Sequence, residues 1–202
     1  MKFIERDGED SVRALLFRPA GGDVRGAILH VHGGGWIADS ADIFASFSAK
    51  LANRHNVVVR SVDYRRAPEV GGHVALDESW AALGWLHREA ANLGFESRFI
   101  AVMGDSAGGS LSAGVALRAR DASLPLKAQF LIYPALDDRL VSPDGPPANV
   151  YAGEFVLSLA YLRQVWAALE RCIARKLPLP CRRTHAGPLE PGGAGIHRRR
   201  QH

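Results

Sequence analysis

The stretch Phe99-Ile100-Ala101-Val102-Met103-Gly104-Asp105-Ser106-Ala107-Gly108-Gly109 decides the fold. Phe99–Met103 is a compact apolar run of the kind that forms a strand buried on both faces of a parallel sheet. Gly104 to Gly108 then reads Gly-x-Ser-x-Gly, and an Ala- and Leu-rich helical pattern, Ala107–Arg120, begins immediately. The flanking glycines let the backbone turn sharply from strand to helix. The residue at the turn, Ser106, must then adopt a strained conformation, and its hydroxyl stands above the C-terminal edge of the sheet. The helix that follows aims its free N-terminal amides at the same spot, where a negative oxygen would develop in acyl transfer.

Working outward, Ala27–Val31, Val57–Val62 and Phe130–Tyr133 are further apolar runs with strand character. Between them, Ile43–His55 and Ala75–Leu93 repeat apolar residues at three- and four-residue spacing, as amphipathic helices do. Phe3–Arg6 and Val12–Arg18 flank Asp7-Gly8 and predict an opening β-hairpin. Strand–helix alternation of this kind predicts an α/β three-layer sandwich with a mostly parallel sheet. After Tyr133-Pro134 comes an irregular stretch rich in proline, then one more helical run, Glu154–Leu169.

Two other motifs follow strands. His32-Gly33-Gly34-Gly35-Trp36 ends the run Ala27–Val31, and three consecutive glycines leave backbone N–H groups uncovered for the close approach of an oxygen. Asp63-Tyr64-Arg65-Arg66-Ala67-Pro68-Glu69 ends Val57–Val62 and reads as a charged loop held by ion pairs, with no chemistry of its own.

The chain has 202 residues, 47% apolar and 23% charged, with a formal charge of +4, and no apolar run approaches the length of a membrane span. The basic excess lies in one place. Residues 1–170 carry 17 Lys+Arg and 20 Asp+Glu, while residues 171–202 carry 8 Lys+Arg and one acid, Glu190. That tail holds both cysteines, Cys172 and Cys181, whose spacing fits neither a metal site nor a disulfide framework. It lacks aromatic residues for stacking, so no nucleic-acid partner is expected. The N-terminus lacks a signal peptide's apolar segment, which predicts a cytoplasmic protein without a membrane association.

Together, His32–Trp36, Asp63–Glu69, Gly104–Gly109 and Leu131-Ile132-Tyr133-Pro134 resemble, in order and spacing, the α/β-hydrolase fold in its hormone-sensitive-lipase-like (bacterial family IV) esterase form. The resemblance implies a serine hydrolase of carboxylic esters that works through an acyl-enzyme, on small-molecule esters, with no metal or cofactor. It implies Ser106 as nucleophile and the amides of Gly33, Gly34 and Ala107 as the oxyanion hole. His32 would brace the glycine loop, of which Gly35 is part, and Asp105 would orient the elbow that Gly104 and Gly108 shape.

It also implies a partial domain. Residues 1–168 would form the hydrolase body, with 134–168 the start of a cap insertion, and 169–202 would be a disordered basic tail. The family's last two strands, with the triad Asp and His, would then be missing. The only histidines after Ser106 are His185, His197 and His202, all in the tail. Arg-, Pro- and Gly-rich text of this kind is what an out-of-frame reading of a GC-rich gene encodes, so a frame change near residue 170 is expected. The strand ending at Tyr133 would present an exposed apolar edge through which copies could self-associate. Activity would be nearly undetectable, and the alternative is a non-catalytic hydrolase-like fragment or binding module.

Overall fold

The computed structural model describes residues 2–6, 9–137 and 157–173. Strands β1 (Lys2–Arg6) and β2 (Glu9–Phe17) form the expected hairpin. Then come β3 (Ala27–Val31), α1 (Ala45–His55), β4 (Val58–Val62), α2 (Gly72–Leu93), β5 (Ile100–Asp105), α3 (Ala107–Asp121), β6 (Ala128–Ile132) and α4 (Leu159–Ile173). The sheet order is β1-β2-β4-β3-β5-β6. β3 runs parallel to β4 and β5, and β5 to β6, while β2 joins β4 antiparallel. This is the α/β-hydrolase arrangement of a mostly parallel sheet. Residues 138–156 of the expected cap start (134–168) and residues 174–202 of the expected basic tail (169–202), with Cys181 and His185, His197 and His202, lie outside the described residues.

Successive residues of a strand face opposite sides of the sheet, and β4 shows which helix covers which side. Ser61 hydrogen-bonds His30 of β3 at 3.0 Å, and the His30 ring lies against Phe44 and Phe47 at the start of α1. Its neighbour Arg60 points the other way, with its guanidinium 3.8 Å from the centre of the Trp85 ring on α2. α3 packs beside α2 and against β5. Helices therefore cover both faces and make three layers, which is why all five residues of β4 are buried.

Two helix starts differ from the periodic pattern. α2 begins at Gly72, ahead of the amphipathic run that starts at Ala75, and glycine is a poor helix former. Its place is set by tertiary packing, because a Cβ there would sit 2.5 Å from Leu169 Cδ1 on α4. α4 itself continues to Ile173, through the point near residue 170 where the composition changes. Val165, Trp166 and Leu169 are its buried face. β6 is the outermost strand among the described residues; none of its residues is buried, and Phe130 is 50% exposed.

Two buried bases carry a cost. Burial pushes His30 down to about 4, with His32 adding repulsion, so the folded state binds this proton more weakly than the unfolded chain at 6.5. Its contribution to stability is complete above pH 6.5 and is lost as pH falls toward 4, by roughly 3 kcal/mol in all. Urea unfolding of wild type is therefore expected to weaken more steeply between pH 7 and pH 4 than that of His30→Gln. The Arg60 guanidinium is buried with no hydrogen-bond partner among the described residues on any of its nitrogens, and burial draws its pKa down to about 10. Arg60→Met, which keeps the apolar stem, is expected to raise the unfolding free energy by about 1 kcal/mol in the same assay.

Candidate active site

The register of the central strands builds the site. Val31 pairs with Gly104, and Asp105 with Ile132, so the segments following β3, β5 and β6 emerge side by side at the C-terminal edge of the sheet. Ser106 follows β5 with φ 50° and ψ −118°, a region costly for a residue with a side chain. The turn is pinned on both sides. The Ser106 N–H donates to the Ile132 carbonyl at 2.9 Å, and its own carbonyl accepts the Ser110 N–H at 3.2 Å.

The two glycines around the serine are required by close approach. A Cβ on Gly108 would overlap the carbonyl oxygens of Val31 and His32, and one on Gly104 would overlap the Gly108 carbonyl and lie 2.6 Å from Ser112 Oγ. Without those side chains, the first turn of α3 presses directly against the end of β3. That brings the N-terminal amides of α3, starting with Ala107, next to the glycine loop.

In that loop Gly34, Gly35 and Trp36 have φ of 100°, 60° and 61°, three consecutive left-handed residues. Glycine is needed at the first two on conformational grounds. Gly33 is different, because its φ lies outside that region; there a Cβ would overlap the Asp105 carboxylate. Gly33 is held from both ends. Its carbonyl accepts from Tyr64 Oη at 3.1 Å and from His32 Nδ1 at 2.8 Å, and the Asp105 carboxylate lies against its Cα. Among the described residues no backbone carbonyl accepts the N–H of Gly34 or Gly35.

His32 is fully buried and stacked on Tyr64, ring centres 4.3 Å apart and 11° from parallel. Burial lowers its pKa and keeps it neutral, and because Gly33 can only accept, the proton sits on Nδ1. It braces the loop from within. Tyr64 also donates to the His32 carbonyl at 3.0 Å, and the Ala67 N–H donates to the Trp36 carbonyl at 2.8 Å. The segment 63–69 therefore grips the glycine loop, a role its sequence did not announce. Its ion pairs are present as expected. Asp63 pairs with Arg13 and lies 3.8 Å from Arg66, and Glu78 takes the Arg65 guanidinium and N–H. α4 closes the loop's outer side, with Trp166 on Trp36 at 4.9 Å and Val165 against Gly35.

Among the described residues no histidine or carboxylate shares a hydrogen bond with the Ser106 side chain, and none gathers three or more His, Cys, Asp or Glu that could hold a metal ion. No helix among them is long and apolar enough to cross a membrane.

The family described as the alpha/beta hydrolase fold matches over residues 28–179. Carboxylesterase NlhH of Mycobacterium tuberculosis is 44% identical over 108 residues, covering 53% of this chain and 34% of that protein. Arylacetamide deacetylase of Oryctolagus cuniculus is 31% identical over 188 residues, covering 86% of this chain and 47% of that protein. Among solved structures, a bacterial heroin esterase superposes with a TM-score of 0.73 at 28% identity, over 96% of this chain and 57% of the other. A hyperthermophilic esterase from Pyrobaculum calidifontis gives 0.69 at 34% identity, over 81% and 54%. The chain spans between a third and about half of the length of these curated relatives.

Packing at the elbow makes a contrast between glycines measurable. Gly108→Ala must displace α3 from β3 and is expected to lower the unfolding free energy by about 3 kcal/mol. Gly84→Ala, on α2, meets only Arg88 Nη1 at 3.5 Å and is expected to raise it by about 0.5–1 kcal/mol. Urea unfolding of both variants checks this; similar effects of one sign would contradict the packing described.

Proposed function

The chain belongs to the α/β-hydrolase fold family, and from that premise we propose that it is a carboxylic-ester hydrolase acting through an acyl-enzyme on Ser106. The observation that carries this reading is the pairing of a strained serine at the start of α3 with a glycine loop whose Gly34 and Gly35 amides donate to no backbone carbonyl among the described residues. In the proposed reaction the Ser106 oxygen attacks the ester carbonyl while a base takes its proton. The carbonyl oxygen becomes an oxyanion and receives N–H bonds from Ala107, at the positive end of α3, and from the glycine loop. The alcohol leaves, and water then hydrolyses the acyl-serine. The names of the relatives, a carboxylesterase, an arylacetamide deacetylase and an ethyl acetate hydrolase, support an ester or related acyl substrate of small size.

Two features bear on how fast and with whom. No base contacts Ser106 among the described residues, and an oxyanion hole with binding alone supplies only about 10³–10⁴-fold over water. The exposed outer strand β6, with Phe130 and Tyr133 (73% exposed), is the edge through which we propose that copies self-associate.

Hydrolysis of p-nitrophenyl acetate by the wild-type chain is expected to exceed that by Ser106→Ala, which should fall to the buffer rate. Equal rates would contradict the proposal and favour a non-catalytic, ligand-binding hydrolase fold.

A further inference from the structure

The two edges of the sheet differ in sequence. β1, at one edge, reads Lys2-Phe3-Ile4-Glu5-Arg6, and its three charged residues are the usual protection of an exposed edge against pairing with other chains. β6, outermost at the other edge among the described residues, reads Ala128-Gln129-Phe130-Leu131-Ile132 and carries no charge. Its outer side has backbone groups to offer. The Lys127 N–H donates to the Ile100 carbonyl at 2.7 Å, toward β5, so by alternation the N–H and C=O of Ala128 and Phe130 point away from β5.

A hollow and a knob lie at opposite ends of this strand. At its start, Ala116 and Ala119 of α3, with Leu124, Leu126 and Ala128, line a hollow of about 290 Å³ that Arg120 and Gln129 complete. Past its end, Tyr133 and Leu136 stand 73% and 42% exposed. The chain past β6 runs on the α3 side of the sheet, because Ser110 Oγ of α3 donates to the Ala135 carbonyl and Pro134 lies where a Cβ on Gly109 would be. Hollow and knob therefore share a face.

The geometry points to a closed dimer in which β6 pairs antiparallel with β6 of a second copy across a two-fold axis at Phe130, and Tyr133 of each copy enters the hollow of the other. Antiparallel pairing of the strand with itself overlaps all five residues in one register alone: Phe130 faces Phe130, Ala128 faces Ile132, and Gln129 faces Leu131. Facing aromatic residues stabilise such a pair. An axis perpendicular to the sheet exchanges the ends of the strand and keeps its faces, so the knob past one end arrives at the hollow beside the other. Each copy thereby uses its uncharged edge and leaves the charged β1 edge outermost, so the assembly stops at two chains and does not extend. This carries the exposed edge of β6 to one partner and one register, and it does not rest on ester hydrolysis.

The test uses the full chain. Size exclusion with light scattering across micromolar concentrations is expected to give the mass of two chains. Phe130→Lys, which sets like charges opposite each other, should weaken the dimer roughly tenfold or more. It should leave the circular dichroism spectrum unchanged, because Phe130 is half-exposed. Tyr133→Ser should weaken the dimer to a smaller extent. Register is read by cross-linking in a Cys172→Ser, Cys181→Ser background. Gln129→Cys and Leu131→Cys chains should form a mixed disulfide when combined in air, since a non-hydrogen-bonded antiparallel pair brings Cα atoms to about 4.5 Å, within disulfide reach. Either variant alone should cross-link far more slowly. A monomer at every concentration, a dimer indifferent to Phe130→Lys, species that grow past two chains, or equal cross-linking of one variant with itself would overturn the proposal.

Discussion

The site depends on one approach of backbone to backbone. α3 can begin directly beside the end of β3 only because residue 108 has no Cβ to meet the carbonyls of Val31 and His32. That approach fixes the elbow, and with it the positive φ of Ser106, because the chain has no room for a wider turn between Asp105 and Ala107. The strain at Ser106, of order 1–3 kcal/mol, is held by the hydrogen bonds to Ile132 and Ser110 and by the buried sheet beneath. The same approach sets the amides of α3 beside the glycine loop, so fold and chemistry share a single constraint.

The glycine loop is the second half of the site, and it does not hold itself. Its peptides are fixed by three segments distant in sequence: Tyr64 and Ala67 after β4, Asp105 at the end of β5, and Trp166 with Val165 on α4. His32 works from within, neutral and buried, stacked on Tyr64. A loop of three glycines would otherwise sample many conformations, and ordering it has a large entropic cost. Placing that cost on residues of the sheet edge leaves the amides preorganised, which is what stabilisation of a developing oxyanion requires.

Much of this was legible in the sequence and some was not, for physical reasons. The strands and helices could be read because apolar runs and three- and four-residue spacing are local signals, and Gly104–Gly108 announced its turn through composition alone. Tyr64 could not be read, since nothing local tells that its hydroxyl ends at the carbonyls of His32 and Gly33. The same holds for Gly33. It is one of three identical residues, and only the position of Asp105, where its Cβ would be, shows why this one lacks a side chain. α2 extends to Gly72 and α4 continues to Ile173 because packing between Leu169 and Gly72 outweighs weak helix propensity and the change in composition.

The central claim is that Ser106 faces amides of the glycine loop and of Ala107 across one site. A crystal structure of the chain after reaction with a small phosphonate ester tests it most directly. The account predicts a single adduct on Ser106, its phosphoryl oxygen about 3 Å from the amide nitrogens of Ala107 and of the glycine loop. An adduct on another residue, or an oxygen turned away from these amides, would contradict the account.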